Sequence, residues 1–450
     1  MYWLSFRLYR LVSWLRHAIP RRFTPAGLLA LSVLIASGLV GLDMDQTMAF
    51  QGFALLLCLV SVAMAASVFY RARFTAERWL PRFGTVGQPL SYVVRVRSQS
   101  GSRLDHLEVL EELADPRPTL PEYAAAQKEE TRRRGFSLKP TASPPLDFRQ
   151  ALTRPSALPA LPARGQAEVR VEVMPLKRGP LRFVGLTVAR PDPFGWFRGF
   201  VHVPLPQTVL ILPRRYPLPD IPLPGARQYQ LDGVALASAI GESEEFVSLR
   251  DYRPGDPKRR IHWRSWARLG RPIVKEYEDE FLVRHALILD TFARPGRAAA
   301  LEEAVSIAAS FACTVNTQES LLDLMFIGLQ AVCVTSGRGV GQVELTLQTL
   351  AAVTPCRSQP FSSLTTLVLK HAEAVCGCVV VLLEWDEPRQ DLIRRLRAQE
   401  VELLVLVVVG PGQAEEILAK AGTDRPEHFH VLESGKIPEG LLRLGAGGGR

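Results

Sequence analysis

The residues whose types and spacing could do chemistry lie between Arg250 and Lys275, where nine basic side chains stand against only Asp251 and Asp256. Arg259, Arg260, Arg264, Arg268 and Lys275 could bind phosphates, and the interleaved Trp263 and Trp266 could stack on bases or sit among anionic lipid headgroups. The reading that fits the local acids better is structural. Guanidinium groups packed on the tryptophans and paired with Asp251, Asp256, Glu276, Glu278 or Asp279 would fix a joint between two domains, and nucleic acid is then an unlikely partner. His262 stands beside Trp263 with no nucleophile at a recognisable spacing, so it reads as a hydrogen-bonded structural group. Further on, Asp290 closes an apolar run and is a weak candidate for a divalent cation, with Asp386 at a neighbouring strand end. The six cysteines show no zinc spacing, and Cys376-Gly-Cys378 is too close a pair to be half of one. They read as buried thiols in a reducing compartment. With no G-x-S-x-G elbow, P-loop or H-E-x-x-H, neither catalysis nor a cofactor is expected, and a hydrolase built on Asp290, Asp386 or His262 would need a site the sequence does not display.

Local turn chemistry must position these residues. From Glu245 to Asp251 the sequence predicts a strand containing Arg250, with Tyr252 just beyond it. Pro254-Gly255 suits the centre of a type II turn, Asp256 a helix N-cap, Pro257 the first helical position and Gly270 the stop. A helix over about Pro257 to Leu269 would then carry Arg259, Arg260, Ile261, His262, Trp263, Ala267 and Arg268. Upstream, Arg178-Gly179 and Asp192-Pro193-Phe194-Gly195 are a second set of turn signals, the latter able to make a tight corner that presents Phe194 and Trp196.

These stretches resemble the bacterial membrane proteins grouped as domain-of-unknown-function family 58. The shared pattern is a strand ending in Arg, a Pro-Gly-Asp turn and Arg-Arg-Ile-His-Trp followed by Ala-Arg, together with the Arg-Gly and Asp-Pro-Phe-Gly elements. The resemblance implies association with MoxR-type AAA+ ATPases and with von Willebrand factor A-like proteins. It points to an adaptor or assembly factor working with such an ATPase.

At 450 residues and 47% hydrophobic, the chain is long enough for two soluble domains besides a concentrated apolar stretch. Its net charge of +9 is local, because residues 1 to 25 hold five arginines and no acid, and outside this stretch and the basic segment the chain is slightly acidic. Ala26 to Leu42 and Met48 to Tyr70 are free of charge, separated by Asp43 to Thr47, which predicts a transmembrane hairpin with Thr24 as N-cap and Pro25 at the first helical position. Arg7, Arg10, Arg16, Arg21 and Arg22 before it, and Arg71, Arg73 and Arg78 after it, predict that both ends and the soluble domains face the cytoplasm of a bacterial inner membrane.

The expected fold is thus a membrane-anchored multidomain chain: a two-helix transmembrane hairpin, an all-β sandwich, then an α/β doubly wound von Willebrand factor A-like domain. The expected boundaries are a basic amphipathic segment over 1–24, the hairpin over 25–70, and the sandwich over 75–213 with a Pro-rich insertion about 115–162. A linker with the family motif follows over 214–280, the A-like domain over 281–440, and a flexible tail over 441–450. Strands are read from period-two alternation such as Tyr92, Val94 and Val96, with others at Ala167 to Met174, Leu181 to Ala189, Gly199 to Leu205 and Thr208 to Leu212. In the last domain Phe292 and Arg294 stand where a metal-binding A domain carries two serines, so the resemblance implies a scaffold without its metal. The expected function is a cytoplasm-facing interaction scaffold whose partners are the bilayer and a MoxR-type ATPase, with anionic lipid as a further candidate.

Overall fold

The computed structural model describes residues 2–40, 47–70, 72–115, 117, 119–121, 123–124, 149–219, 246–256, 258–277, 283–294, 297–314, 320–337, 340–421 and 428–446. Residues 43–46 of the expected turn, most of the insertion, much of the linker, and Arg71, Pro257, Glu278 and Asp279 lie outside the described residues. The chain forms two compact units, Met1–Arg214 and Arg215–Arg450.

The first unit opens with three helices, α1 (Tyr2–Arg22), α2 (Pro25–Val40) and α3 (Thr47–Val68). Thr24 accepts the Gly27 amide at 3.1 Å, so the Thr-Pro pair starts α2 as the sequence predicts. Phe50–Val68 is long and apolar enough to cross a membrane, and Pro25–Leu39 is a shorter apolar helix. α2 and α3 pack together through Leu34, Val60 and Ala63 while Leu29, Ile35, Leu39, Leu55 and Val68 point outward.

Among the described residues nine strands follow: β1 (Phe74–Trp79), β2 (Phe83–Thr85), β3 (Leu90–Ser98), β4 (Leu107–Leu113), β5 (Ala151–Thr153), β6 (Ser156–Leu158), β7 (Gln166–Pro175), β8 (Gly179–Pro191) and β9 (Arg198–Leu212). They form two sheets, ordered β1-β3-β7-β5 and β2-β9-β8-β4-β6. The alternating inward residues of both, Tyr92, Val94, Val171, Phe183, Val188 and Ile211 among them, share one core. Two strand expectations change. Gly199 to Leu212 is one strand, because a register shift opposite Gly185 absorbs Pro204 and Pro206 without ending it. The supposed insertion ends near 149, since β5, β6 and the Leu104–Leu161 bridge belong to the sheets and bury Ala151, Leu158 and Leu161.

Arg78 is also not the surface cation that the charge-flank argument made it. Its guanidinium lies inside the β-rich domain, bonded to Glu111 at 2.6 and 3.2 Å and to the Gly185 and Leu205 carbonyls, over the Phe183 ring. Both side chains are fully buried. Removing one partner strands the other's charge in the core, so Arg78→Ala should destabilise this unit by about 3–5 kcal/mol, read as a lower unfolding temperature, whereas Arg95→Ala at an exposed pair should cost no more than about 1 kcal/mol.

In the second unit, β10 (Phe246–Asp251) and β11 (Ile273–Tyr277) form an antiparallel pair enclosing a 3-10 turn at Lys258–Arg260 and α4 (Trp263–Leu269). A six-stranded sheet follows, made of β12 (Val283–Leu289), β13 (Ser320–Ile327), β14 (Ala331–Ser336), β15 (Gly377–Leu382), β16 (Glu402–Val409) and β17 (Phe429–Glu433) in the order β14-β13-β12-β15-β16-β17. All are parallel except β14, an edge strand that the sequence reading missed. The helices are α5 (Ala298–Thr314), α6 (Val340–Ala352), α7 (Ser362–His371), α8 (Glu387–Ala398), α9 (Ala414–Ala421) and α10 (Ile437–Ala446). α7 and α8 bury one set of strand residues, including Ile288, Val380 and Val405. α5 packs on β12, β15 and β16 outside that set, so the central strands are apolar throughout.

The flexible tail expected from 441 is instead the end of α10, where Ile437, Leu441 and Leu444 recur at helical spacing and are buried. The glycines from Gly445 onward hid that period. The thiols are mixed: Cys356 and Cys378 are buried, with burial pushing the Cys378 thiol up to about 12, but Cys58, Cys313 and Cys333 are exposed. Cys333 lies on β14, whose edge position leaves alternate residues open, and Cys313 in the last turn of α5.

Candidate functional site

The Asp192 corner is more than a turn. Its buried carboxylate accepts the backbone amides of Phe194 at 3.1 Å, Trp196 at 2.6 Å and Phe197 at 2.7 Å, while Gly195 supplies a φ of 70°. So held, the corner turns the Gly195 and Trp196 carbonyls toward Thr24, whose hydroxyl donates to the first at 2.5 Å and whose amide donates to the second at 3.1 Å. A Cβ on Gly27 would stand 2.1 Å from the Trp196 carbonyl oxygen, so only glycine lets α2 start there. Phe23 pairs with Phe197 as an isolated bridge, their rings 5.2 Å apart, and Arg198 reaches the Arg21 carbonyl. The end of α3 arrives at the same place, since a Cβ on Gly199 would meet Ser67 and Tyr70 at 2.8 Å.

Sequence reasoning found Asp192, Pro193, Phe194 and Gly195 and read Thr24 as a helix cap, but missed Gly27 and the pairing of Thr24 with the corner across about 170 residues of chain. It also grouped Arg178-Gly179 with the corner. Those residues sit at the opposite end of β8, with Gly179 at φ 105°, roughly 40 Å away along the strand.

The basic segment is built on the β10–β11 pair. Arg250 grips Asp256 with two bonds of 2.7 and 2.8 Å, and the Arg253 amide donates to the same carboxylate at 2.8 Å across the Pro254-Gly255 turn, where Gly255 takes φ 110°. The Arg250 bonds and the Arg253 amide hold the Asp256 carboxyl down at about 2. Tyr252 continues the ladder through its amide to the Pro272 carbonyl, and Arg271 pairs with Asp251 at 3.0 Å.

Asp256 is therefore a turn lock and not the helix cap expected of it. The helix begins at Trp263 and not near Pro257, because Ile261 bridges to Val274 and the His262 amide bonds the Ile273 carbonyl, which pulls the chain into the sheet first. His262 Nδ1 lies 2.7 Å from the Ser265 hydroxyl, a partner one helical turn away that the spacing argument overlooked. The contact orients the ring where α4 starts. Trp263 and Trp266 stack on each other at 5.2 Å and 21°. α4 buries no residue, so Trp263, Arg264, Ala267, Arg268 and Leu269 are exposed beside Lys258 and Arg259, with Arg260 half-buried. The arrangement is a rigid loop offering an aromatic pair within a positive field.

At the carboxyl edge of the six-stranded sheet, Asp290 is fully buried. One carboxylate oxygen accepts the Phe292 amide at 2.9 Å; the other accepts the Leu383 amide at 3.0 Å and Arg389 Nε at 2.7 Å. Arg389 also bonds Asp386 at 2.7 Å, and Arg294 pairs with Glu384 at 2.9 Å. Burial works against the Arg389 charge, yet Asp290 and Asp386 raise its pKa above the ordinary value. Asp290 and Asp386 do meet at adjacent strand ends, but around a guanidinium. Among the described residues no cluster of three metal-ligating side chains occurs.

Two outcomes follow from these geometries. Gly27→Ala should push α2 off the corner and cost about 1–3 kcal/mol in thermal unfolding, whereas Gly52→Ala, with nothing within 4 Å of its would-be Cβ, should cost nothing. Because the Asp256 value lies below its ordinary 3.8, the turn lock is complete above that pH and is lost as pH falls toward about 2. The protection factor of the Arg253 amide against hydrogen exchange should fall over that window, and in Asp256→Asn it should be low already at neutral pH.

Comparison with known proteins sets limits on what this architecture shares. A CARDB domain from Pyrococcus furiosus is similar at 14% identity, covering 32% of this chain and 92% of its own, with a TM-score of 0.18. A manganese-loaded TRAP protein from Plasmodium vivax is similar at 12% identity over 36% of this chain and 73% of its own, with a TM-score of 0.25. A cohesin module from a Clostridium perfringens family 33 glycoside hydrolase is similar at 11% identity over 31% and 98%, with a TM-score of 0.16. No curated protein matches the chain. Residues 248–427, which take in the basic segment and most of the six-stranded sheet, match the family described as protein of unknown function DUF58.

Proposed function

We propose that the chain is a membrane-anchored interaction scaffold whose α4 segment docks a protein partner, an AAA+ ATPase of the MoxR type. The observation that carries the proposal is the exposed Trp263 stacked on the half-buried Trp266, set among Lys258, Arg259, Arg264 and Arg268 on a loop pinned by the Arg250–Asp256 pair. Tryptophan and arginine supply much of the binding energy at protein interfaces, and a loop rigid before binding loses little entropy on docking. The DUF58 match covers this segment.

In this reading α2 and α3 cross a bacterial inner membrane as a hairpin, and the arginine-rich flank before α2 keeps the β-rich domain and the A-like domain on the cytoplasmic side. The alternation of parallel strands and helices in the second unit supports a von Willebrand factor A-like scaffold. Arg389 in place of a metal suits binding without ion-dependent adhesion. The role is binding and not catalysis, since the charged groups at the sheet edge neutralise one another.

Affinity capture of the full chain from gently solubilised membranes should recover such an ATPase. The double variant Trp263→Ala/Arg264→Ala should reduce that recovery at least about tenfold without lowering the unfolding temperature. Failure of the unaltered chain to recover any ATPase, or undiminished recovery by the double variant, would sink the proposal.

A further inference from the structure

We infer that α1 lies flat on a bilayer as an anionic-phospholipid-binding surface, held level by the Asp192 corner. The inference rests on the reading of α2 and α3 as membrane-crossing.

α1 has three faces. One is turned inward: Phe6 and Tyr9 are half-buried with their rings 5.4 and 5.0 Å from the buried Tyr123, and Arg21 donates to the Glu111 carbonyl at 2.7 Å. A second carries Leu4, Leu8, Leu11 and Leu15, spaced at helical period and all exposed, Leu4 by 72%. Between them runs a row of Trp3, Arg7, Arg10 and Trp14, with Arg7 4.0 Å above the Trp3 ring.

A helix of a water-soluble domain turns its leucines inward. Here the inward face is aromatic and the leucine stripe faces out, so α1 is docked on the protein by one side and left apolar on another. Leucines that enter the acyl boundary, tryptophans at headgroup level and arginines reaching phosphates are the composition that an interfacial helix requires. α1 contains no acidic residue, so its charge complements an anionic surface and opposes a second copy of itself.

Geometry supplies the rest. Only Phe23 and Thr24 separate α1 from α2, and the bonds from Thr24 to the Asp192 corner fix that junction. α1 is therefore held where α2 begins, which is the headgroup level when α2 crosses. Phe194, 44% exposed and 5.4 Å from the Trp196 ring, is presented at the same junction, and Arg22 lies over Phe200.

The test uses the full chain in lipid nanodiscs containing phospholipids brominated near the headgroup, with and without phosphatidylglycerol. Tryptophan fluorescence should be quenched, and Trp3→Phe/Trp14→Phe should lose a large share of that quenching. In wholly zwitterionic discs, or with Arg7→Ala/Arg10→Ala, the share owed to Trp3 and Trp14 should fall severalfold. Quenching that is unchanged in Trp3→Phe/Trp14→Phe, with the chain retained in the disc, overturns the inference and leaves the membrane reading standing. Equal quenching in zwitterionic discs overturns the anionic requirement, and two chains per disc with Trp3 and Trp14 shielded from lipid would assign the face to a second copy. A chain not retained in discs at all overturns the membrane reading itself.

Discussion

A single carboxylate, that of Asp192, organises the first unit. By collecting three backbone amides it forces residues 192 to 197 into a corner whose outward carbonyls have one direction to point, and Thr24 and Gly27 meet them there. The ends of three helices and two strands depend on that corner. An amide lost from it would leave a buried donor unsatisfied, so the corner has little freedom to relax. The consequence is mechanical: hydrogen bonds from Thr24 join the start of α2 to the β-rich domain, and the end of α3 packs closely at Gly199, in place of a loose tether.

Guanidinium groups carry out the corresponding work elsewhere in the chain. Arg78 fills the interior between the two sheets, Arg250 closes the Pro-Gly-Asp turn, and Arg389 joins the ends of β12 and β15. In each case a planar, always-charged donor array satisfies a carboxylate and nearby carbonyls together, which a lysine could not do in the same geometry. At Asp290 this has a chemical result. The Arg389 guanidinium lies between the Asp290 and Asp386 carboxylates, while the second Asp386 oxygen is buried without a hydrogen-bond partner among the described residues.

Several elements were legible in the sequence because their signals are local. The period-two alternation of β3, the Thr24-Pro25 start of α2, and the apolar strands β12, β13, β15 and β16 each depend on residues within one element. The basic segment was located correctly, and its strand and turn followed from Arg250 and Gly255. Its helix was not, because Ile261 and His262 satisfy their backbone groups on β11, a partner that the helix-capping pattern at Asp256-Pro257 does not encode. Short strands between prolines, β5 and β6, were hidden for the same reason: they exist only through pairing with β7 and β4.

By itself, then, the sequence determined which segments are apolar, where turns must fall and where positive charge accumulates, since those properties belong to the residues and their immediate neighbours. Tertiary structure decided what the charges do. Arg78 reads as a membrane-flank cation in the sequence and Arg389 as an ordinary helix residue, yet both are buried ties, because only folding brings Glu111 and Asp290 within reach. The Asp192 motif likewise reads as a free turn until a helix about 170 residues earlier is laid against it. Hydrogen bonds and ion pairs between distant segments are set by packing geometry, and that geometry is a property of the whole fold.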